Sequence, residues 1–274
     1  MIPLRHPIVT GVRCVGRLLR GHIPPTTALR PMMLNRSALA LVLALAASPA
    51  LAQTQPKVVV ELFTSQGCAS CPPADALLND LAKDPQVLAL TLSVDYWDYV
   101  GWKDTLALHG HSLRQKAYAE QRPDKKIYTP QMVIDGQIAA KGSDRAAVQR
   151  AVMTARASGG LSLPVEVKRD GDALEITLPQ SLTIEDGAEL WACPVSRTQS
   201  VSIGRGENGG RNVTYSNVVR GWTRVARWQG DVRTFRVPLK DLHREGMDAV
   251  AVMVQTGTPA APGQIVGATL FPLD

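Results

Sequence analysis

The sequence is poor in cysteine, poor in aromatic residues and, beyond its first 52 positions, without any charge excess. Four cysteines occur in 274 residues, and one of them, Cys14, falls in the N-terminal segment. The remaining Cys68, Cys71 and Cys193 are an odd number with one close pair. That excludes a multi-disulfide framework and leaves one redox or metal pair plus a bystander. The formal charge of +6 is equally local. Arg5, Arg13, Arg17, Arg20, Arg30 and Arg36 supply six of the 30 basic side chains, leaving 24 against 24 acidic ones. A body of zero net charge gives no electrostatic reason to bind nucleic acid, and that class is set aside. No second long apolar run follows residue 52, so no stable membrane insertion is expected after leader cleavage.

What is present starts with that leader. Arg36 precedes an Ala- and Leu-rich stretch that ends in Pro49 and Ala50-Leu51-Ala52, the pattern of a secretory signal peptide with its small-residue cleavage site. Counted from Met1 the stretch before the apolar core is too long; counted from Met33 it has normal proportions, which makes Met33 the suspected true start. Periplasmic or secreted localisation follows as an expectation, in a compartment where disulfides persist.

Residues 58–63, Val-Val-Val-Glu-Leu-Phe, read as a strand buried on both faces. Residues 74–83 read as an amphipathic helix, and 87–94 as a second strand. An aromatic tip at 96–102 holds four of the thirteen aromatics, either packing the following helical insertion (about 103–121) or walling a peptide groove. Asp135-Gly136 between apolar runs signals a hairpin, and Ser143-Asp144 caps a further helix. Beyond Ala157-Ser158-Gly159-Gly160 the texture changes to short strands, at 163–168, 174–178, 189–195, 213–219, 235–239 and 250–254. These predict an all-β, sandwich-like part. The expected organisation is leader 1–52, an α/β domain 56–156 and a β-rich domain 161–274.

The chemistry concentrates in Gly67-Cys68-Ala69-Ser70-Cys71-Pro72-Pro73, between the first strand and the first helix. At a helix start, unpaired amides and the helix dipole favour a thiolate, the species that attacks disulfides or binds metal. Cys68 is then the attacking sulfur and Cys71 the resolving one. A permanent structural disulfide and a metal pair are the alternatives. Glu61 is either a strand-end acid reaching solvent or a buried carboxyl that takes the proton from Cys71. His109 and His111 stand two apart and point to opposite sides of a helix, which weakens the metal reading. Gly204-Arg205-Gly206-Glu207-Asn208-Gly209 satisfies G-x-G-x-x-G literally, but a strand pattern follows it instead of a helix, so it reads as a loop and no cofactor is expected. Cys193, alternating with Trp191 and Val195, reads as a buried small apolar residue.

The succession of strand, C-x-x-C, Thr129-Pro130 opening a hairpin, and closing helix resembles the thioredoxin family. The motif Glu61-Leu-Phe-Thr-Ser-Gln-Gly-Cys-Ala-Ser-Cys-Pro-Pro-Ala-Asp75 carries the comparison further. With Tyr128-Thr-Pro-Gln-Met132, Gly204-Arg-Gly-Glu-Asn-Gly-Gly-Arg211 and Asn217-Val-Val-Arg220, it resembles domain-of-unknown-function family 1223. Those are secreted bacterial proteins with a thioredoxin-like first half. The resemblance implies a thioredoxin-like α/β domain with a helical insertion, followed by the all-β part. It also implies that Pro130 is a cis residue beside the sulfurs, shaping a docking edge. There are departures: Gly67 replaces the tryptophan before the first cysteine, Ala69-Ser70 replaces Gly-Pro, and Leu62 falls where the family's buried acid stands. The expected function is thiol–disulfide exchange with protein thiols, disulfides or a redox partner protein, through Cys68, Cys71, Pro130 and Glu61. A non-catalytic binding or assembly protein with a structural bridge, or a copper or zinc carrier, is the alternative.

Overall fold

The computed structural model describes residues 55–273. The leader, the suspected start at Met33 and Cys14 lie outside the described residues. No described helix is long and apolar enough to cross a membrane.

Strand β1 (Val58–Thr64) is buried along its whole length. It pairs in parallel with β2 (Val87–Ser93) and antiparallel with β3 (Gln131–Ile134), so both of its edges are satisfied. Its alternating side chains serve two cores. Val58, Val60 and Leu62 face helices α1 (Pro72–Leu81) and α3 (Arg145–Ala157), meeting Ala74, Leu77, Leu78, Val148 and Val152. Val59 and Phe63 face the other way, toward Tyr118 of helix α2 (His109–Glu120). Strand β4 (Ile138–Lys141) returns antiparallel to β3 through Asp135 and Gly136. Both turn residues have positive φ, 48° and 72°, as a two-residue hairpin of this hand demands. Asp144 caps α3 by accepting from the Ala147 amide.

The second half is built of strands: β5 (Glu166–Asp170), β6 (Ala173–Leu178), β7 (Ala188–Ser202), β8 (Asn212–Val219), β9 (Thr223–Trp228), β10 (Arg233–Pro238), β11 (Ala249–Thr258) and β12 (Ala261–Pro272), with one turn of helix, α4 (Leu239–Leu242). The main sheet runs β12-β11-β7-β8-β2-β1-β3-β4, with β9 also on β7; β10-β6-β5 form a small separate sheet. The small sheet packs Val167, Leu174, Ile176 and Val237 against Leu190, Val250, Val252 and Val254. On the opposite face of β7 and β11, Cys193, Val195, Ala251 and Met253 share a core with Val59, Phe63, Leu88 and Leu90 from β1 and β2.

This corrects the expected fold class. The described residues are 41% strand and 18% helix, and one mixed nine-stranded sheet runs through both halves. A thioredoxin-like α/β domain with a helical insertion, followed by a separate sandwich, is not what the chain forms. The physical reason lies at the outer edge of β2. That edge is taken by β8, in parallel register at Thr91 with Val218, which carries the sheet on into the second half. Side chains stitch this seam: the Thr91 hydroxyl donates to the Ser216 carbonyl at 2.7 Å, and Asn217 Nδ2 donates to the Ala89 carbonyl at 2.9 Å. Strands β9 and β12, unread in the sequence, add further to the β content.

Candidate functional site

Cys68 and Cys71 form a disulfide, with Cα atoms 5.4 Å apart, in the loop that leaves β1. Every turn of that loop is pinned. The Cys68 amide donates to the Ser65 carbonyl and the Cys71 amide to the Cys68 carbonyl, each at 3.1 Å. The Gln66 amide donates to Asp104 Oδ2 at 2.8 Å, and Trp102 Nε1 donates to Gln66 Oε1 at 2.8 Å. Gly67 is required by close approach: a Cβ there would stand 3.3 Å from the Trp97 side chain. Trp97, arriving from the aromatic tip, occupies the space a side chain at position 67 would take.

Helix α1 begins one residue after the bridge, with Cys71 as N-cap. Pro72 and Pro73 have no N–H to offer. The next two amides, of Ala74 and Asp75, both donate to the Cys71 carbonyl, at 2.8 and 3.1 Å. The helix start therefore presents no free amide to a Cys68 thiolate, against the expectation drawn from sequence. The polar neighbour of Cys68 Sγ is the Ser70 hydroxyl, at 3.6 Å.

Pro130 follows a cis peptide bond from Thr129. It stands on the α1 side of the sheet: a Cβ at Gly142 would lie 3.1 to 3.2 Å from Ala74, Leu62 and Pro130 at once. The Gly142 amide donates to the Pro130 carbonyl at 2.9 Å. Thr129 accepts from Trp97 Nε1 at 2.8 Å, which links the proline turn to the tryptophan under Gly67.

The structure does not bring Glu61 to the pair. On β1 it alternates with Leu62 and lies on the α2 face, fully buried. There Arg114 Nε and Nη2 donate to its two oxygens at 2.6 and 3.1 Å, and the Tyr118 hydroxyl donates at 2.6 Å. Gln255 Nε2 donates to that hydroxyl in turn. A carboxylate buried this way is held by a bidentate guanidinium, and its partners give it a role in the core.

The acid that does stand on the α1 side is Asp75. It is buried in the first turn of α1, takes a 2.7 Å hydrogen bond from the Thr64 hydroxyl, and has its pKa pushed up to about 7, chiefly by burial. Sequence reasoning missed it because an acid in the first turn of a helix is an ordinary helix signal. A groove of about 440 Å3 opens beside it, with Pro72, Asp75 and Asn79 on one wall and Arg211, Val213 and Thr214 on the other.

The second residue missed is Asn208. Loop 204–211 reaches back over the C-x-x-C turn, and Asn208 Nδ2 donates to the carbonyls of Gln66 and Cys68 at 3.0 and 2.9 Å. Cys68 is 1% exposed and Cys71 not at all. The literal G-x-G-x-x-G is therefore a cover for the disulfide. His109 and His111 have separate surroundings: His109 Nδ1 meets Asp95 at 2.8 Å near the surface, while His111 Nδ1 is buried on the Ser93 carbonyl. Cys193 is fully buried, and burial pushes its thiol pKa well up.

Fold and site together define a mostly β protein with a covered C-x-x-C disulfide between its first strand and first helix. Residues 59–255 match the family described as "Protein of unknown function (DUF1223)", and the chain belongs to that family. A crystal structure of a protein from Agrobacterium tumefaciens is similar, at 32% identity and a TM-score of 0.71, over 80% of this chain and 95% of that one. HBP35 of Porphyromonas gingivalis is similar at 14% identity and a TM-score of 0.53, over 80% of this chain and 76% of that one, a likeness of fold alone. No curated protein matches.

Proposed function

We propose that this is an exported thiol–disulfide oxidoreductase, acting on protein thiols in the periplasm or outside the cell. The observation that carries the reading is the Cys68–Cys71 disulfide at the start of α1, with Asp75, a protonatable carboxyl, buried one turn further on. In the forward step a substrate thiolate attacks Cys68 Sγ. The Cys68–Cys71 bond breaks and Cys71 leaves as a thiolate, which takes up a proton, a role this reading gives to Asp75 one helical turn on. A second substrate thiolate then attacks the substrate sulfur of the mixed disulfide and expels Cys68. Two electrons pass to the pair, which ends as the dithiol; a redox partner protein reoxidises it by the same steps reversed.

Burial of both cysteines favours a second reading, a structural bridge in a binding or assembly protein. Its weakness is energetic. A bridge that closes a loop of only four residues restricts the unfolded chain little and is worth about 2 kcal/mol in the chain-entropy account.

Trapping separates the two. Cys71→Ala expressed with the native leader is expected to accumulate mixed disulfides through Cys68, released by reductant and missing in the Cys68→Ala, Cys71→Ala double variant. No covalent partner in cells that secrete the folded variant would leave the structural bridge as the surviving reading.

A further inference from the structure

We propose that residues 204–211 are a lid with Asn208 as its latch, and that the lid has to lift before any thiol reaches Cys68. The inference rests on the thiol-exchange reading and adds a residue that decides what gains access to the site. In the run 204–210 every residue but one is exposed; the exception is Asn208, at 1%. A single polar side chain is thus plugged into the body of the protein. It spends both amide hydrogens on the carbonyls of the C-x-x-C turn, and its own Oδ1 is buried with no hydrogen-bond partner among the described residues. A buried carboxamide oxygen left unsatisfied offsets part of what the two donated bonds contribute, so the closed state is held weakly.

The rest of the loop is made to move as a piece. At its base the Ile203 amide donates to the Arg211 carbonyl and the Gly210 amide to the Ile203 carbonyl, and Ile203 is buried. Gly206 and Gly210 both have φ of +79°, a backbone state open to glycine. Gly204 and Gly206 rest directly on Trp102: a Cβ at either would come within 3.1 to 3.2 Å of it. Trp102 also binds Gln66, so lid, tryptophan and C-x-x-C turn form one contact set. Glycine at these positions lets the loop lie flat on the indole and leave it without dragging side chains along.

The test uses dithiothreitol on the full mature chain, with the loss of the Cys68–Cys71 bond followed by alkylation and mass. One dithiothreitol sulfur attacks Cys68, Cys71 leaves as a thiolate, and the second sulfur closes the cyclic disulfide and frees Cys68. Asn208→Ala removes two hydrogen bonds and is expected to raise the rate about ten-fold. Gly206→Val, which pushes the loop off Trp102 with Asn208 intact, is expected to raise it as well, and decides the matter alone if Asn208→Ala does not fold. Glu207→Ala, exposed in the same loop, is expected to keep the wild-type rate. Low urea separates local from global opening, since reduction through the lid is insensitive to it and reduction through unfolding rises steeply. Wild-type rates in the folded latch and Gly206→Val variants, or an acceleration that appears only through urea-sensitive unfolding, overturn the lid. Dithiothreitol needs no biological partner, so this outcome is independent of whether trapping succeeds.

Discussion

Asp75 and Glu61 are two fully buried acids near one strand, and their environments part company. Glu61 accepts hydrogen bonds from the Arg114 guanidinium and the Tyr118 phenol. Asp75 is buried and accepts from the Thr64 hydroxyl; burial outweighs that bond, the charge of Asp104 adds to it, and the pKa rises to about 7. The sign follows from proton counts. Between the unfolded value near 4 and the folded value near 7, the folded state holds a proton that the unfolded chain has released. The stabilisation is full below the unfolded pKa and is lost as pH rises through the folded one. Three pKa units correspond to on the order of 4 kcal/mol. Asp75→Asn removes this titration while keeping an acceptor for Thr64. It is expected to match wild type at pH 4 and to exceed it by a few kcal/mol at pH 8, measured by urea unfolding at both values. Equal stability of the two proteins at pH 8 would show that Asp75 ionises without penalty. The cysteine pair was legible in sequence because its chemistry is local, while the cis bond before Pro130 was expected only from the family resemblance. Asp75 and Asn208 were not legible, since each looks like ordinary helix-start or loop composition until the distant partner is in place.

At the scale of elements, the β2–β8 seam carries the most unusual demand. Asn217 sits at φ +48° with its Nδ2 on the Ala89 carbonyl, so the residue has to tolerate a left-handed backbone and reach across to another strand. Asn217→Gly keeps the backbone and loses the bond, and is expected to cost about 1 kcal/mol. Asn217→Ala loses both and is expected to cost about 1 to 2 kcal/mol more. Denaturant unfolding of both variants checks the ranking; a more stable alanine than glycine variant would mean that the seam relaxes out of the left-handed region. Individual elements were readable: β1, α1, β2, the Asp135-Gly136 hairpin and the Asp144 cap all follow from period and turn chemistry. Strand β12 was not, because Pro262, Gly263 and Gly267 interrupt its alternation. Nor was the pairing of β8 with β2, since residues more than a hundred positions apart leave no mark in local periodicity.

The whole molecule combines buried groups whose titrations oppose each other. His111 is fully buried as the neutral ring, and burial lowers its pKa to about 4. The unfolded chain therefore takes up a proton that the fold refuses, and stability drops as pH falls from about 6.5 to 4. Asp75 and Asp135, the latter raised to about 6 mainly by burial, act in the opposite sense and favour acid. Two carboxyls outweigh one imidazole, so the urea midpoint is expected to be higher at pH 5 than at pH 8. A midpoint that climbs steadily to pH 8 would assign the pH dependence to groups other than these.

The asparagine that covers Cys68 comes 140 positions after it. Under the export proposed above, a chain that crosses with its N-terminus first delivers the two sulfurs before the segment that covers them. An oxidant acting at that stage would meet them on an open chain, before the cover exists. Maturation and use thus see different accessibility at the same bond: unrestricted while the chain is being delivered, gated once it is complete.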